Sequence, residues 1–142
     1  MFETVFAVEF GDCDPAGIVF YPNFSRWLDA AFQGWLRERG TSQSDLQARF
    51  DAIGTGLVES AVRFRRPVRA GERLRVRLEA VEWERRTFAL RYAAHVETGS
   101  GDGDGDGALA VKADERRGLF AARPDGTLRL LPLEPLRALL EA

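Results

Sequence analysis

The sequence predicts an α+β fold in which five antiparallel strands pack against one long helix. Three observations support this prediction. One segment, residues 22–39, has apolar side chains at three- and four-residue intervals, which is the period of an amphipathic helix. One segment before it and four after it alternate apolar with polar residues, as half-buried strands do. The length of 142 residues suits a single domain, 1–142, that can bury its own core.

The first strand is predicted over residues 4–10, where one face of an extended chain is apolar and ends with Phe10. Residues 11–17 are predicted to form a loop, because they contain two glycines and a proline. The long helix is expected to begin at Pro22, since proline is favoured in a first turn. It is expected to end before Gly40, a natural stop after two arginines.

The rest of the chain reads mainly as strands, which are predicted to follow one another as antiparallel hairpins. They lie at residues 57–66, 72–82, 87–97 and 107–122. In the second of them, apolar residues alternate with arginine and glutamate, so its outer face is expected to meet water. Short helices are predicted around residues 44–50 and 133–140.

The composition excludes several classes of partner. A net charge of −2 gives no overall field that would attract nucleic acid or an anionic membrane. There is no basic, apolar leader at the N-terminus and no apolar run of about 18 residues, so neither a signal peptide nor a membrane span is expected. The single cysteine, Cys13, allows no intrachain disulfide and fits a reducing compartment. We therefore expect a cytoplasmic protein.

The loop before the long helix carries the residues that most suggest chemistry. Asp12 and Asp14 lie between two glycines, just upstream of the helix N-terminus. Unpaired N–H groups at such a terminus can polarise a carbonyl, and a neighbouring carboxylate can then attack it or deprotonate a water. Aspartates before proline and glycine also commonly cap turns. The residue types alone leave both interpretations open.

The run from Asp12 to Phe24 has two aspartates, then a glycine, a phenylalanine–tyrosine pair, an asparagine and a further aromatic residue. This run resembles the entry into the central helix of the 4-hydroxybenzoyl-CoA thioesterase family of hotdog-fold enzymes. Weaker likeness covers residues 64–67, 71–74, 82–88 and 113–115.

The resemblance implies a strongly curved five-stranded sheet wrapped around the helix 22–39. It implies hydrolysis of an acyl-CoA, most readily an aromatic one, without a metal or redox cofactor. It further implies homodimers, commonly paired into homotetramers, with active sites between subunits.

The resemblance also implies roles for individual residues. Asp14 matches the catalytic aspartate of the family, as nucleophile or general base. The backbone N–H at about Tyr21 matches the group that binds the thioester carbonyl, and Gly17 matches a glycine of the same substrate-binding loop. Pro22 stands where many relatives that act on other acyl groups have histidine, which favours the hydroxybenzoyl-CoA branch.

Two further matches concern specificity and CoA binding. Asp29 matches an acidic residue that meets the ring hydroxyl in the pocket of the neighbouring subunit; the alternative is a solvated charge on the helix. Arg85, Arg86 and Thr87 match a basic turn that binds the CoA phosphates; the alternative is a polar hairpin tip. The aromatic residues around the helix start are expected to wall an acyl pocket. They are Phe20, Tyr21, Phe24 and Trp27.

Other candidate residues favour simpler interpretations. Cys13 has no histidine near it in sequence and is expected to pack rather than to act as a nucleophile. His95 is expected to be a surface residue of a strand. The glycine–aspartate run 101–107 lacks the glutamate of a calcium-binding loop and is expected to be a flexible tip. The arginines between residues 63 and 69 are expected to lie on a solvated face rather than to bind nucleic acid.

Two rival functions remain on the same fold. An enoyl-CoA hydratase generally pairs a histidine with its acid, and no histidine lies near Asp14 in the sequence. A non-catalytic acyl-CoA-binding module could dispense with Asp14, but it would need an effector domain that 142 residues do not hold.

Overall fold

The structure is a computed structural model that describes residues 1–97 and 107–142. The described residues form strands β1 (Phe2–Ala7), β2 (Gly54–Phe64), β3 (Arg73–Trp83), β4 (Phe88–Val96), β5 (Leu109–Ala122) and β6 (Leu128–Leu130). Their helices are α1 (Pro22–Glu38), α2 (Gln43–Phe50) and α3 (Glu134–Glu141). All three predicted helices are confirmed to within one residue at each end. Of the predicted glycine–aspartate tip, residues 101–106 lie outside the described residues.

The strands form one antiparallel sheet in the order β1-β3-β4-β5-β2, and the short β6 pairs with the end of β5. The predicted hairpins β3–β4 and β4–β5 are confirmed. The predicted hairpin between β2 and β3 is wrong, because β2 pairs with β5 instead. Residues 65–72 do not reverse tightly; they lie against the loop after β1, where Arg69 pairs with Ile18.

The core lies between α1 and the inner face of the sheet. The buried face of α1 consists of Phe24, Trp27, Leu28, Ala31, Phe32, Trp35 and Leu36. It packs against alternate residues of the central strands, including Leu74, Val76, Leu78, Leu90, Tyr92, Val111, Ala113 and Leu119. Each large apolar side chain buried in this way contributes about 1.5–3 kcal/mol. The predicted alternation along β3 is therefore confirmed, with its arginines on the outer face.

The first strand is shorter than predicted. It ends at Ala7, and Phe10 is 89% exposed at the start of a 3-10 turn, so the prediction that Phe10 extends the apolar face of the strand is wrong. The reason is a reciprocal capping interaction. The Glu9 N–H donates to the Asp12 carboxylate at 2.9 Å, and the Asp12 N–H donates to the Glu9 carbonyl at 3.0 Å. No helix in the described ranges is long and apolar enough to span a bilayer.

Candidate active site

The loop before α1 is a small hairpin with Asp14 at its turn. The Asp14 N–H donates to the Ile18 carbonyl, and the Gly17 N–H donates to the Asp14 carbonyl, both at 2.9 Å. Pro15 suits the first corner of such a turn because its φ is fixed. Gly17 has a φ of +81°, a conformation that other residues adopt only with strain. Gly17 therefore shapes the turn that presents Asp14.

Asp12 fastens this hairpin to the first turns of α1. Its carbonyl accepts hydrogen bonds from the Phe20 N–H at 2.9 Å and from Asn23 Nδ2 at 2.8 Å. Its carboxylate pairs with Arg26 Nη2 at 2.9 Å. Asp12 therefore has a structural role, as expected of an aspartate that caps a turn.

Asp14 differs from Asp12 in having a carboxylate oxygen to spare. Its Oδ1 accepts a hydrogen bond from the Ala16 N–H at 2.9 Å, which fixes the orientation of the half-buried side chain. Its Oδ2 accepts no hydrogen bond from any residue in the described ranges. One oxygen holds the carboxylate in place, and the other is available to a substrate or a water.

The start of α1 offers a free hydrogen-bond donor a short way downstream. Tyr21 precedes the first helical residue, and its N–H has no backbone acceptor among the described residues. The next residue, Pro22, has no N–H to compete for an incoming acceptor. The positive end of the helix dipole lies at the same place. The Tyr21 N–H is therefore in a suitable environment to bind a carbonyl oxygen.

A cleft of about 380 Å³ opens beside this helix start. Tyr21 and Phe24 line it, together with the end of β2 and residues 65–68. Of the four aromatic residues that were expected to wall one pocket, Tyr21 and Phe24 line this cleft and Phe20 and Trp27 do not. Trp27 packs in the core, while Phe20 is half exposed and contacts the Tyr21 ring with centroids 5.4 Å apart.

Asp29 lies two turns further along α1 and makes an ion pair. Its side chain is 52% exposed, and its Oδ1 lies 3.1 Å from Nη2 of Arg117. Arg117 is buried and also pairs with buried Glu115, whose Oε2 lies 2.8 Å from Arg117 Nε. Asp29 is therefore a solvent-exposed charge that also has an ion-pair partner in the same chain. Asp29 also lines a second cleft, of about 590 Å³, with residues of α2, β2 and β5.

Sequence reasoning missed Glu115 and Arg117, although a signal was present. Both lie on the same face of β5 as buried Val111, Ala113 and Leu119, so strand alternation places them inside. Burial raises the pKa of Glu115 against the opposing attraction of Arg117. Burial is the largest single influence on Arg117 and disfavours its charge, but the combined effect of Glu115, Tyr92 and Asp29 outweighs burial and raises the pKa of the guanidinium. Arg117 is thus a buried cation.

The three residues of the basic turn between β3 and β4 differ in their contacts. The Arg86 guanidinium donates to the Leu130 carbonyl at 2.7 Å, which ties the turn to β6. The Thr87 hydroxyl donates to Glu84 and accepts from Arg116. The Arg85 guanidinium has no hydrogen bond or ion pair within the described residues, and it lines a cleft of about 570 Å³ with Trp83 and Arg137. Arg85 is therefore the member of the turn that is available to a ligand.

The predicted site residues form two groups in the single chain. The hairpin brings Asp14 and Gly17 to the start of α1, next to Tyr21. This hairpin pairs with residues 68 and 69, just before β3 begins. The basic turn follows the other end of β3, so about 30 Å of strand separates the two groups. Asp29 lies about 12 Å along α1 from Tyr21.

The other two candidate residues, Cys13 and His95, are partly buried. Cys13 is half-buried, packs against the core, and its Sγ lies 3.7 Å from the Glu9 carbonyl. His95 is also only partly exposed, and its buried Nδ1 has no hydrogen-bond partner in the part of the chain that the structure describes. In the ranges 1–97 and 107–142, no three or more histidine, cysteine, aspartate and glutamate side chains are grouped so as to hold a metal ion.

Comparison with known proteins identifies the family. A sequence model described as the thioesterase-like superfamily matches residues 8–123. The chain is 34% identical over 125 residues to 4-hydroxybenzoyl-CoA thioesterase of Pseudomonas sp. strain CBS-3, covering 87% of this chain and 85% of that protein. It is 32% identical over 94 residues to 1,4-dihydroxy-2-naphthoyl-CoA hydrolase of Thermosynechococcus vestitus, covering 65% of this chain and 62% of that one.

The fold comparison agrees with the sequence comparison. The crystal structure of the Pseudomonas enzyme superposes with a TM-score of 0.84 at 30% identity and covers 97% of this chain and 96% of that one. The chain is therefore a hotdog-fold thioesterase of the 4-hydroxybenzoyl-CoA thioesterase family.

Proposed function

We propose that this protein hydrolyses the thioester of an aromatic, hydroxybenzoyl-type acyl-CoA with Asp14 as its catalytic carboxylate. One observation carries the proposal. A carboxylate is held on a hairpin that is fastened to the start of α1, and among the described residues one carboxylate oxygen of Asp14 and the Tyr21 N–H have no hydrogen-bond partner. Relatives that act on 4-hydroxybenzoyl-CoA and on 1,4-dihydroxy-2-naphthoyl-CoA support an aromatic acyl group.

In the proposed mechanism, the thioester carbonyl oxygen accepts a hydrogen bond from the Tyr21 N–H. The helix dipole stabilises the negative charge that develops on this oxygen during attack. Asp14 either attacks the carbonyl carbon and forms an anhydride that water then cleaves, or it deprotonates a water that attacks directly. In both routes the carbon–sulfur bond breaks, CoA leaves as the thiol, and the acyl group leaves as a carboxylic acid.

The hydratase alternative is less well supported. It requires a histidine that acts together with the carboxylate, and the chain has one histidine. In the described part of the chain, His95 and Asp14 share no hydrogen bond. Asp14 keeps its orientation through a backbone N–H instead, which suits a carboxylate that acts by itself.

The proposed active site includes a second subunit. Strand β2 is at one edge of the sheet and pairs only with β5 among the described strands. Residues 57–61 in its middle are exposed, and Leu57, Val58 and Phe64 are each about half exposed. An edge that is unpaired among the described strands and exposes apolar side chains favours association, and two-fold pairing is the commonest closed assembly. We therefore propose a homodimer formed along β2, which can pair further into a homotetramer.

The separation of the two site groups supports the same assembly. Asp14 lies near the beginning of β3 and Arg85 beyond its end, so one chain does not place them side by side. We propose that the basic turn and the Asp14 hairpin that serve one acyl-CoA belong to different subunits.

A charge on the β2 edge is expected to disrupt the proposed dimer. Val58→Asp would place a carboxylate where two apolar edges meet, so the variant should be monomeric and should lose most of its activity. Ala138→Asp puts the same charge on an exposed position of α3 and should change neither property. Light scattering at micromolar concentration, together with thiol release, checks both variants. A wild-type protein that is monomeric and fully active would contradict the dimer proposal.

Arg85 and Arg86 are expected to respond differently to replacement by alanine. Arg85→Ala should raise KM for CoA esters about 10-fold with little change in kcat, because a remote phosphate contact exists in both ground and transition states. Arg86→Ala should instead destabilise the fold by about 1 kcal/mol, because it removes the hydrogen bond to Leu130.

Acyl-pantetheine, which lacks the nucleotide, is the control substrate for this pair of variants. Its KM should be insensitive to Arg85→Ala. If Arg85→Ala impairs the pantetheine and CoA esters equally, Arg85 does not bind the nucleotide end of the substrate.

Asp29 is expected to favour acyl groups that carry a ring hydroxyl. Asp29 Oδ2 accepts no hydrogen bond within the described ranges, so a ring hydroxyl that donates to it would gain a charge-assisted hydrogen bond, and a substrate lacking the hydroxyl should bind less well in the transition state. The kcat/KM ratio of 4-hydroxybenzoyl-CoA to benzoyl-CoA should therefore exceed one in the wild type and should fall about 10-fold in Asp29→Ala. An unchanged ratio in this variant would remove Asp29 from the acyl site.

A further inference from the structure

The Asp29 carboxylate forms an ion pair with a buried cation, Arg117. The Arg117 side chain is only 3% exposed and has three close contacts on the inner face of the sheet. Its Nη2 reaches Asp29, its Nε reaches Glu115, and its guanidinium carbon lies 4.1 Å from the ring centre of Phe32. Phe32 and Asp29 are three residues apart on α1, so Arg117 contacts the helix at two points on one face.

The cluster of Asp29, Glu115 and Arg117 contains two carboxylates but only one guanidinium. Glu115 and Arg117 form a buried pair, and Asp29 adds a second carboxylate at the surface. Asp29 Oδ1 pairs with Arg117, while its Oδ2 accepts no hydrogen bond within the described ranges, and Asp29 is one of the residues that line the 590 Å³ cleft. Burial, together with the charge of nearby Glu115, raises the pKa of the Tyr92 hydroxyl on β4. Asp29 therefore contributes to this cleft a carboxylate that has one oxygen without a hydrogen-bond partner among the described residues.

We propose that Arg117 is a positioning residue that fixes the Asp29 carboxylate for recognition of a substrate hydroxyl. This inference rests on the proposed function, because it concerns the same acyl site. An exposed aspartate on a helix samples several rotamers, and ordering it on binding costs free energy. Because Arg117 is itself held by Glu115 and Phe32, its ion pair with Asp29 places that carboxylate before the substrate arrives. Selectivity for the hydroxyl thus depends on a residue of β5 that does not face the cleft.

Loss of Arg117 alone leaves Glu115 buried without its partner, so the test replaces both residues. Glu115→Leu/Arg117→Met exchanges the buried pair for apolar side chains of similar size, a change that is often tolerated. Four proteins form a cycle: wild type, Asp29→Ala, Glu115→Leu/Arg117→Met, and the combination of all three changes. For each, the kcat/KM ratio of 4-hydroxybenzoyl-CoA to benzoyl-CoA is measured.

The wild-type ratio should exceed one and should fall about 10-fold both in Asp29→Ala and in Glu115→Leu/Arg117→Met. The triple variant should show no further fall, because Arg117 acts only through Asp29. A purely structural role would lower the rates on both esters equally and leave the ratio unchanged.

Two results would overturn the inference, and they are distinguishable. If Asp29→Ala lowers the ratio and Glu115→Leu/Arg117→Met does not, or if the two effects add in the triple variant, the positioning role is wrong and the proposed function stands. If the wild type hydrolyses neither ester, or shows no preference for the hydroxylated one, the hydroxybenzoyl assignment and this inference fail together.

Discussion

Replacing Asp14 with asparagine is expected to lower kcat at least about 10²- to 10⁴-fold, the usual contribution of a general base. Asparagine has nearly the same size and can still accept the Ala16 N–H, so the hairpin should keep its shape. It can neither attack the thioester nor take a proton from water. Thermal unfolding and CoA binding should therefore change little, while thiol release should nearly stop.

Cys13→Ser is the matched control for this variant, because it alters the neighbouring residue of the same hairpin. Cys13 packs against the core and lies near the Glu9 carbonyl, so the serine variant should keep most of the activity. A folded but inactive Cys13→Ser protein would indicate a thiol mechanism. Near-wild-type turnover by Asp14→Asn would show that Asp14 is not the catalytic carboxylate.

Replacing Arg117 alone with methionine is expected to destabilise the protein by about 3–5 kcal/mol. The loss of the cation leaves Glu115 buried without a partner for its charge, and Asp29 loses its ion pair. That is a large part of the stability of a typical domain. Urea denaturation should show a much lower midpoint with an unchanged slope, because a similar surface is exposed on unfolding.

The control for this prediction is Glu115→Leu/Arg117→Met, which removes both charges of the buried pair. It should recover most of the lost stability, since an apolar pair of similar volume replaces the ion pair. If the single and the combined replacement prove equally destabilising, the loss comes from packing against Phe32 rather than from an unpaired charge.

The helices and the inner strands could be predicted from the sequence because their causes are local. The apolar period of α1 and the alternation along β3 follow from side chains that face one core. One feature that was predicted wrongly has a cause distant in sequence, and another has a local cause that strand alternation does not show. The pairing of β2 with β5 depends on residues 65–72 lying against the loop after β1. The early end of β1 depends on the contact between Glu9 and Asp12.

The candidate site was predictable to a similar extent. The residues from Asp14 to Tyr21 form a continuous motif, so the sequence alone is enough to propose them as site residues. The sequence did not show that Arg85 and Arg86 differ in their contacts, because the partner of Arg86 is a backbone carbonyl of β6. It did not show that Asp29 is paired, because Arg117 is 88 residues away along the chain.

Thiol release by the purified wild-type protein across a panel of CoA esters tests the central proposal most directly. The panel should contain 4-hydroxybenzoyl-, benzoyl-, hexanoyl- and decanoyl-CoA, each measured as kcat/KM under the same conditions. We predict hydrolysis of CoA esters, with 4-hydroxybenzoyl-CoA the best substrate of the four. A clear preference for hexanoyl- or decanoyl-CoA would contradict the aromatic acyl group. The absence of thiol release from every ester would contradict the proposed function itself.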